Sequence, residues 1–362
     1  MTLSLADNRP PIPPADLILR VAPPFEAGDI EAARAAFDIE GLSHLRLYEQ
    51  ALAAVGGSFE QSERLLEFGC GCGRFLRHLG PLADRLEIHG TDIDAEMIEW
   101  LRANVQYGRY EVAPHEPPLP YPDHHFDLVI NCSVFTHLDE RLQDLWLAEL
   151  QRVTRPGALL LLTVEGQSTW NRTCEASERI GEDPEPWRVE LESRGIVFIA
   201  DDLFLGSTHP DFYHSTVHAP WYVFEHWTRF FDIAAYVPDG AISQDLIVFR
   251  RRPDGVPQPR PIGRRMSPRA AAAHAAGAAP TSRRRALFGR LMASASRRLR
   301  SLRKQRTATG GSGDHSLDAR SVTREISMLR VGLYEQGRRL SILAAQLRDE
   351  IEAVRNQSDE NG

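Results

Sequence analysis

The sequence has few cysteines, no long apolar run and, over one long stretch, almost no acid. Its four cysteines, Cys70, Cys72, Cys132 and Cys174, are too sparse for a disulfide framework and lack the C-x-x-C spacing of a zinc site. Reduced thiols are the expectation. No run approaches the roughly 18 apolar residues needed to span a bilayer, and the N-terminus shows no basic region followed by an apolar core. A cytoplasmic protein is therefore expected. A composition of 42% hydrophobic and 25% charged residues is that of a globular chain, and 362 residues suit one large α/β domain with appendages. The formal net charge of -8 hides an asymmetry, because between residues 250 and 306 the only acid is Asp254. An acidic body followed by a basic segment implies two separate tasks.

A glycine is also missing where one class of cofactor loop needs it. Glu67-Phe68-Gly69-Cys70-Gly71-Cys72-Gly73 follows the apolar pair Leu65-Leu66 and leads into Arg74-Phe75-Leu76. This reads as a strand that stops at a glycine-rich turn and passes into a helix, the arrangement that holds nucleotide-type cofactors. A dinucleotide fingerprint, G-x-G-x-x-G, would need glycine at position 74, which is Arg74. Downstream, Gly90-Thr91-Asp92-Ile93-Asp94 ends a second apolar run, with Asp92 lying 19 residues after Gly73. An acid at that place can accept hydrogen bonds from both hydroxyls of a ribose, because adjacent strand ends share one crevice. Asp94 is suited to cap the helix that follows.

Apolar runs and helical periodicities alternate from residue 64 onward. Strands are expected at 64–68, 86–91, 109–112, 126–131 and 158–164, with helices at 74–82, 94–105 and 139–153. The alternation argues for a parallel sheet with helices on both faces. Two helices at 29–39 and 41–55 precede it, after a proline-rich and extended segment at 1–28. Residues 166–211 have little periodicity and read as an insertion with one short strand at 196–200. A helix at 219–231 and strands at 232–237 and 244–251 complete the series.

Three segments together resemble the class I S-adenosylmethionine-dependent methyltransferases over residues 40–251. They are the E-x-G-x-G-x-G turn, the acid at Asp92, and the Leu119-Pro120-Tyr121 turn before Phe126-Asp127-Leu128-Val129. Ser133-Val134-Phe135-Thr136-His137-Leu138 is similar to bacterial members with Ser-x-x-x-His-Leu after the fourth strand. The resemblance implies an α/β, Rossmann-like, seven-stranded, mostly parallel sheet whose last two strands are antiparallel, filling a methyltransferase domain at 29–252. It implies S-adenosyl-L-methionine as cofactor. Glu67, Gly69, Gly71 and Gly73 would then line its methionine part, Asp92 with Ile93 its ribose, and Asn131, Cys132 and Ser133 its sulfonium side. An acid that meets the adenine in many members has only His115 and Glu116 as counterparts, neither a clean match.

His137 is placed either to act as general base on a hydroxyl acceptor or to cap the next helix. Phe212-Tyr213-His214-Ser215, leading to His218, Trp221, His226 and Trp227, is similar to a late segment of the same methyltransferases. His214 would orient or deprotonate the acceptor, and the aromatic residues would either stack on a sugar or pack the helix on the sheet. The histidines have no metal-ligand spacing, so no metal is expected. The function implied is O-methylation of a hydroxyl on a sugar, a surface glycan or a small metabolite. The alternative is a methyltransferase-like scaffold that recruits partners.

Beyond residue 252 the composition changes. Residues 253–282 read as a Pro/Ala/Arg linker and 283–306 as a basic amphipathic helix, suited to an anionic membrane at the inner face; with Phe288 as its one aromatic it is poorly suited to nucleic acid. After a flexible break at 307–315, residues 316–356 carry a heptad. Ile326, Leu333, Leu340, Leu347 and Val354 form one seam of an expected homo-oligomeric coiled coil.

Overall fold

The computed structural model of the chain describes residues 9–21, 30–179, 183–199, 214–241 and 244–256. The basic helix and heptad expected at 283–306 and 316–356 lie outside the described residues, as do most of the linker at 253–282 and all of 307–315. In chain order the elements are α1 (Ala15–Val21), α2 (Ile30–Ala54), β1 (Arg64–Phe68), β2 (Glu87–Asp92), α3 (Ala95–Asn104), β3 (Gly108–Val112), β4 (Phe126–Asn131), α4 (Glu140–Val153) and β5 (Thr154–Val164). Then come α5 (Gln167–Arg179), α6 (Glu185–Arg194), β6 (Ile196–Ile199), β7 (Ser215–His218), α7 (Pro220–His226), β8 (Phe231–Ala241) and β9 (Gln244–Arg251).

The main sheet has seven strands in the order β3-β2-β1-β4-β5-β9-β8. The first five are parallel, and β9 is antiparallel to both of its neighbours, β5 and β8. One strand, β9, thus runs against the other six, and the last two strands are antiparallel to each other, as expected. The central strands are apolar throughout because helices cover both faces. Leu65, Leu128, Ile130 and Leu161 pack on one face with Leu45 and Leu52 of α2 and Ile98 and Leu101 of α3. Leu66, Val129, Leu160 and Leu162 pack on the other with Trp146, Leu147 and Leu150 of α4 and Trp227. The Pro156-Gly157 pair lies within β5, where a register shift against β4 absorbs it.

Several expectations need correction. The helix expected at 74–82 is replaced by two short 3-10 turns, Leu76–His78 and Gly80–Leu82. Three preceding glycines with positive φ keep the chain out of the helical region, and Pro81 removes an amide. The proline-rich segment contains α1, whose Leu17 and Ile18 pack with Phe37, Cys72 and Met97. The insertion holds two helices, α5 and α6, and pairs β6 with β7 around Trp170, Leu191, Val197 and Val217. The helix expected at 219–231 ends at His226 and continues as a 3-10 turn to Arg229.

The two helices expected either side of residue 40 are one, α2. Gly41 lies within it because a Cβ there would come 2.2 Å from the carbonyl oxygen of Arg74. The helix therefore rests directly on the backbone that leaves the glycine turn. Tyr48, fully buried in the same helix, donates to the carbonyl of Asn131 at 2.9 Å. Alanine at position 41 would gain up to about 1 kcal/mol of helix propensity. The clash with a backbone atom outweighs that gain, since overpacking costs about 1–3 kcal/mol. Gly41→Ala is expected to lower the midpoint of thermal or urea unfolding; an unchanged or raised midpoint would contradict this packing.

Candidate cofactor site

The carboxyl ends of β1, β2 and β4 converge on a cavity of about 660 Å³, walled also by Val21 of α1, the turn after β3, and His137 and His214. Its floor is the glycine turn. The amides of Gly69 and Cys70 both donate to the carbonyl of Thr91, at 2.8 and 3.0 Å, which ties the turn to the end of β2. The amide of Gly71 donates to the Asp92 carboxylate at 2.7 Å, and the second carboxylate oxygen accepts from the Asp94 amide at 2.9 Å. A carboxylate has about four acceptor positions, so each oxygen of Asp92 keeps capacity for a ligand hydroxyl. Asp94 caps α3, as expected, and Arg20 of α1 pairs with Asp94 and Glu96 at 2.8 and 2.7 Å.

The glycines are required by their surroundings. All three have positive φ, and a Cβ would meet Val134 at 2.1 Å from Gly69, Val21 at 2.6 Å from Gly71 and Leu101 at 2.6 Å from Gly73. The turn is thus clamped by the segment after β4, by α1 and by α3.

Of the residues singled out from the sequence, Glu67, Gly69, Gly71, Asp92, Ile93, Cys132, Ser133, His137 and His214 line the cavity. Gly73 and Asn131 do not. Gly73 faces Leu101, and Asn131 is buried beneath the wall, its amide donating to the Phe68 carbonyl at 2.8 Å to join the ends of β1 and β4. His115 lines the cavity, whereas Glu116 pairs with Arg141 at 2.6 Å outside it.

Glu67 is buried, and its Oε2 has no hydrogen-bond partner. Burial pushes its carboxyl well above the usual range, opposed by Arg74. A buried carboxyl of this kind gains its charge when a cation arrives beside it. Burial also raises Asp92, which the Asp94 and Gly71 amides counteract. Both acids, with the apolar Ile93, Met97 and Phe68 around them, fit a ligand carrying a ribose and positively charged groups. All four cysteines are buried free thiols, and burial raises Cys132 at the cavity wall, so it is no ready nucleophile.

The segment after β4 is held in an uncommon backbone. Ser133 has a φ of 59°, donates its amide to Thr163 Oγ1 at 2.9 Å and accepts from Gln244 at 2.5 Å. His137 Nδ1 lies 2.8 Å from the His214 carbonyl. A carbonyl only accepts, so Nδ1 carries the proton and Nε2 of the neutral ring is its basic atom. β7 fastens this arrangement, since Thr216 donates its amide to Thr136 and its hydroxyl to Leu138, both at 2.7 Å.

Among the described residues, the other late histidines and aromatic residues do not line the cavity. His218 is held by Gln143 at 2.9 Å and pushed down to about 3 by burial, so it is neutral; His226 pairs with Asp144 at 2.7 Å. Trp227 is fully buried against Phe135 and Phe249, so packing is its role. Phe212 and Tyr213 lie outside the described residues. Sequence reasoning missed Val21, Arg74, Met97, Trp146 and Phe198 as lining residues. Only Val21 had a local signal, the run Leu17-Ile18-Leu19 before it.

Residues 66–162 match the family described as a methyltransferase domain. Over this stretch the chain is similar to a methyltransferase domain. A probable S-adenosylmethionine-dependent methyltransferase of Mycolicibacterium smegmatis is 32% identical over 108 residues, 30% of this chain and 40% of that protein. An uncharacterised protein of Haemophilus influenzae is 30% identical over 112 residues, 30% of this chain and 44% of that one. The chain spans less than half the length of these relatives. Among solved structures, one from Pyrococcus horikoshii is 19% identical with a TM-score of 0.43, covering 65% of this chain and 98% of that one.

Asp92 both shapes the turn and faces the cavity. Charge-assisted hydrogen bonds contribute about 1.5–3 kcal/mol, so Asp92→Ala is expected to weaken binding of S-adenosylhomocysteine by about 10- to 100-fold. Titration calorimetry measures this, and an unchanged affinity would contradict the assignment.

Proposed function

We propose that the protein transfers a methyl group from S-adenosylmethionine to a hydroxyl of a sugar, on a surface glycan or a small metabolite. The reading rests on one observation above others. His137, on the cavity wall, has its Nδ1 committed to the His214 carbonyl, which leaves Nε2 as the proton acceptor of the ring. An imidazole in that tautomer suits removal of a hydroxyl proton near neutral pH.

The cofactor, when bound, supplies a methyl group on a positively charged sulfur. Glu67 would hold its ammonium, Asp92 its ribose hydroxyls, and the Cys132–Ser133 backbone would stand on the sulfonium side. The residues of this chain then do the remaining work. Ser133, fixed by Thr163 and Gln244, sets the path of the segment that carries His137. Phe198, Val134, Leu138 and His214 form the neighbouring wall and keep water from the reacting hydroxyl. Orientation and exclusion of water are the main contributions a protein makes to such a displacement. On sequence grounds, the basic segment 283–306 would bring this domain to an anionic membrane, and the heptad at 316–356 would make it oligomeric.

Mass spectrometry of glycan and metabolite pools from a deletion strain tests the reading. One O-methyl group is expected to disappear, to return with the wild-type gene, and not to return with His137→Ala. Loss of a methyl from nitrogen or carbon instead, or full restoration by His137→Ala, would overturn it.

A further inference from the structure

A cluster at the opposite end of the sheet takes no part in the cofactor site. Glu87 and His89 are two residues apart on β2, so their side chains share one face. His125 immediately precedes β4, which flanks β1 on the side away from β2. The topology brings the three together across β1, with Leu66 paired to His89 and Arg64 to Glu87. Glu87 Oε1 lies 3.2 Å from His89 Nε2, and one ligand atom from each of the three residues lies within 4.8 Å of the others. Tetrahedral coordination at zinc distances needs separations of about 3.3 Å, so small side-chain movements close the set.

Two buried polar groups here have no partner. His89 is 2% exposed, and its Nδ1 makes no hydrogen bond. The Tyr121 hydroxyl is also buried without a partner; its ring stacks on His125 at 5.9 Å and meets the edge of His89 at 5.3 Å. A core that packs one imidazole edge-on against a stacked imidazole and phenol, with such atoms unsatisfied, has a cost that ordinary packing does not explain.

Glu87 is already paired, and the pairing favours a cation exchange. Arg64 Nε holds its Oε2 at 2.9 Å, a contact that would orient the carboxylate as an outer partner while Oε1 binds metal. Arg109 holds Oε1 at 2.9 Å, but its side chain is 71% exposed. A surface pair of that kind contributes little and is readily displaced.

We propose that Glu87, His89 and His125 form a binding site for a divalent transition metal, zinc by the character of two imidazoles and one carboxylate, that ties β2 to the start of β4. None of the three lines the cofactor cavity, so the site is independent of the reading of function given above.

The full chain, stripped with a chelator and dialysed, is titrated with Co²⁺ followed by visible absorption, and then with Zn²⁺ in competition. One equivalent is expected to bind, to be displaced by Zn²⁺ and to raise the thermal unfolding midpoint. His125→Ala and Glu87→Gln, both on half-buried side chains, are expected to fold and to lose the metal and the shift together. Absence of stoichiometric binding to the wild type, or equal binding by both variants, would overturn the proposal, the latter by placing the metal elsewhere in the chain.

Discussion

The carboxylate of Asp92 is the hinge on which the site depends. It accepts from Gly71 with one oxygen and from Asp94 with the other, while the Thr91 carbonyl beside it accepts from Gly69 and Cys70. These bonds make the glycine turn and the end of β2 one unit. Without them, three positive-φ glycines at alternate positions would leave the turn with many accessible conformations. The clamps that fit around the turn, Val134, Val21 and Leu101, presuppose that unit, and so does the approach of α2 at Gly41.

Burial gives the cavity its chemistry. Glu67 has a carboxyl oxygen with no partner at a place where its charge is strongly disfavoured, and at Asp92, which burial also raises, backbone amides oppose the shift. The difference is one of hydrogen bonding more than of depth. A ligand with a positive group near Glu67 and two hydroxyls near Asp92 would satisfy both. On the opposite wall, β7 and Thr216 fasten the segment that carries His137, so a small accessory sheet sets the tautomer of a candidate base.

The parallel sheet was legible because its strands, buried on both faces, are nearly unbroken apolar runs. Leu65-Leu66, Leu128-Val129-Ile130 and Leu159 to Leu162 needed no knowledge of their neighbours. Asp92 and the glycine turn were legible because their spacing expresses a local constraint. What failed to show depended on distant contacts. Helices α5 and α6 are held by Trp170, Leu191 and Val197 packing on β7, and the 3-10 turns after Gly73 follow from glycine conformations that residue periodicity does not register. Gly41 reads as a break between helices, yet it is a point of contact whose partner, Arg74, lies 33 residues away. Gly73 and Asn131 fit the motif but face the interior, since a motif specifies the chain's path and not which of its atoms reach the ligand.

We propose that the cavity over the glycine turn holds S-adenosylmethionine. Hydrogen–deuterium exchange, with and without saturating S-adenosylhomocysteine, tests it most directly. Slower exchange is expected in the segments around Gly69–Arg74, Asp92–Met97 and Cys132–His137, and no change in β8 and β9. Unchanged exchange in all three segments, or protection confined to other parts of the chain, would contradict it.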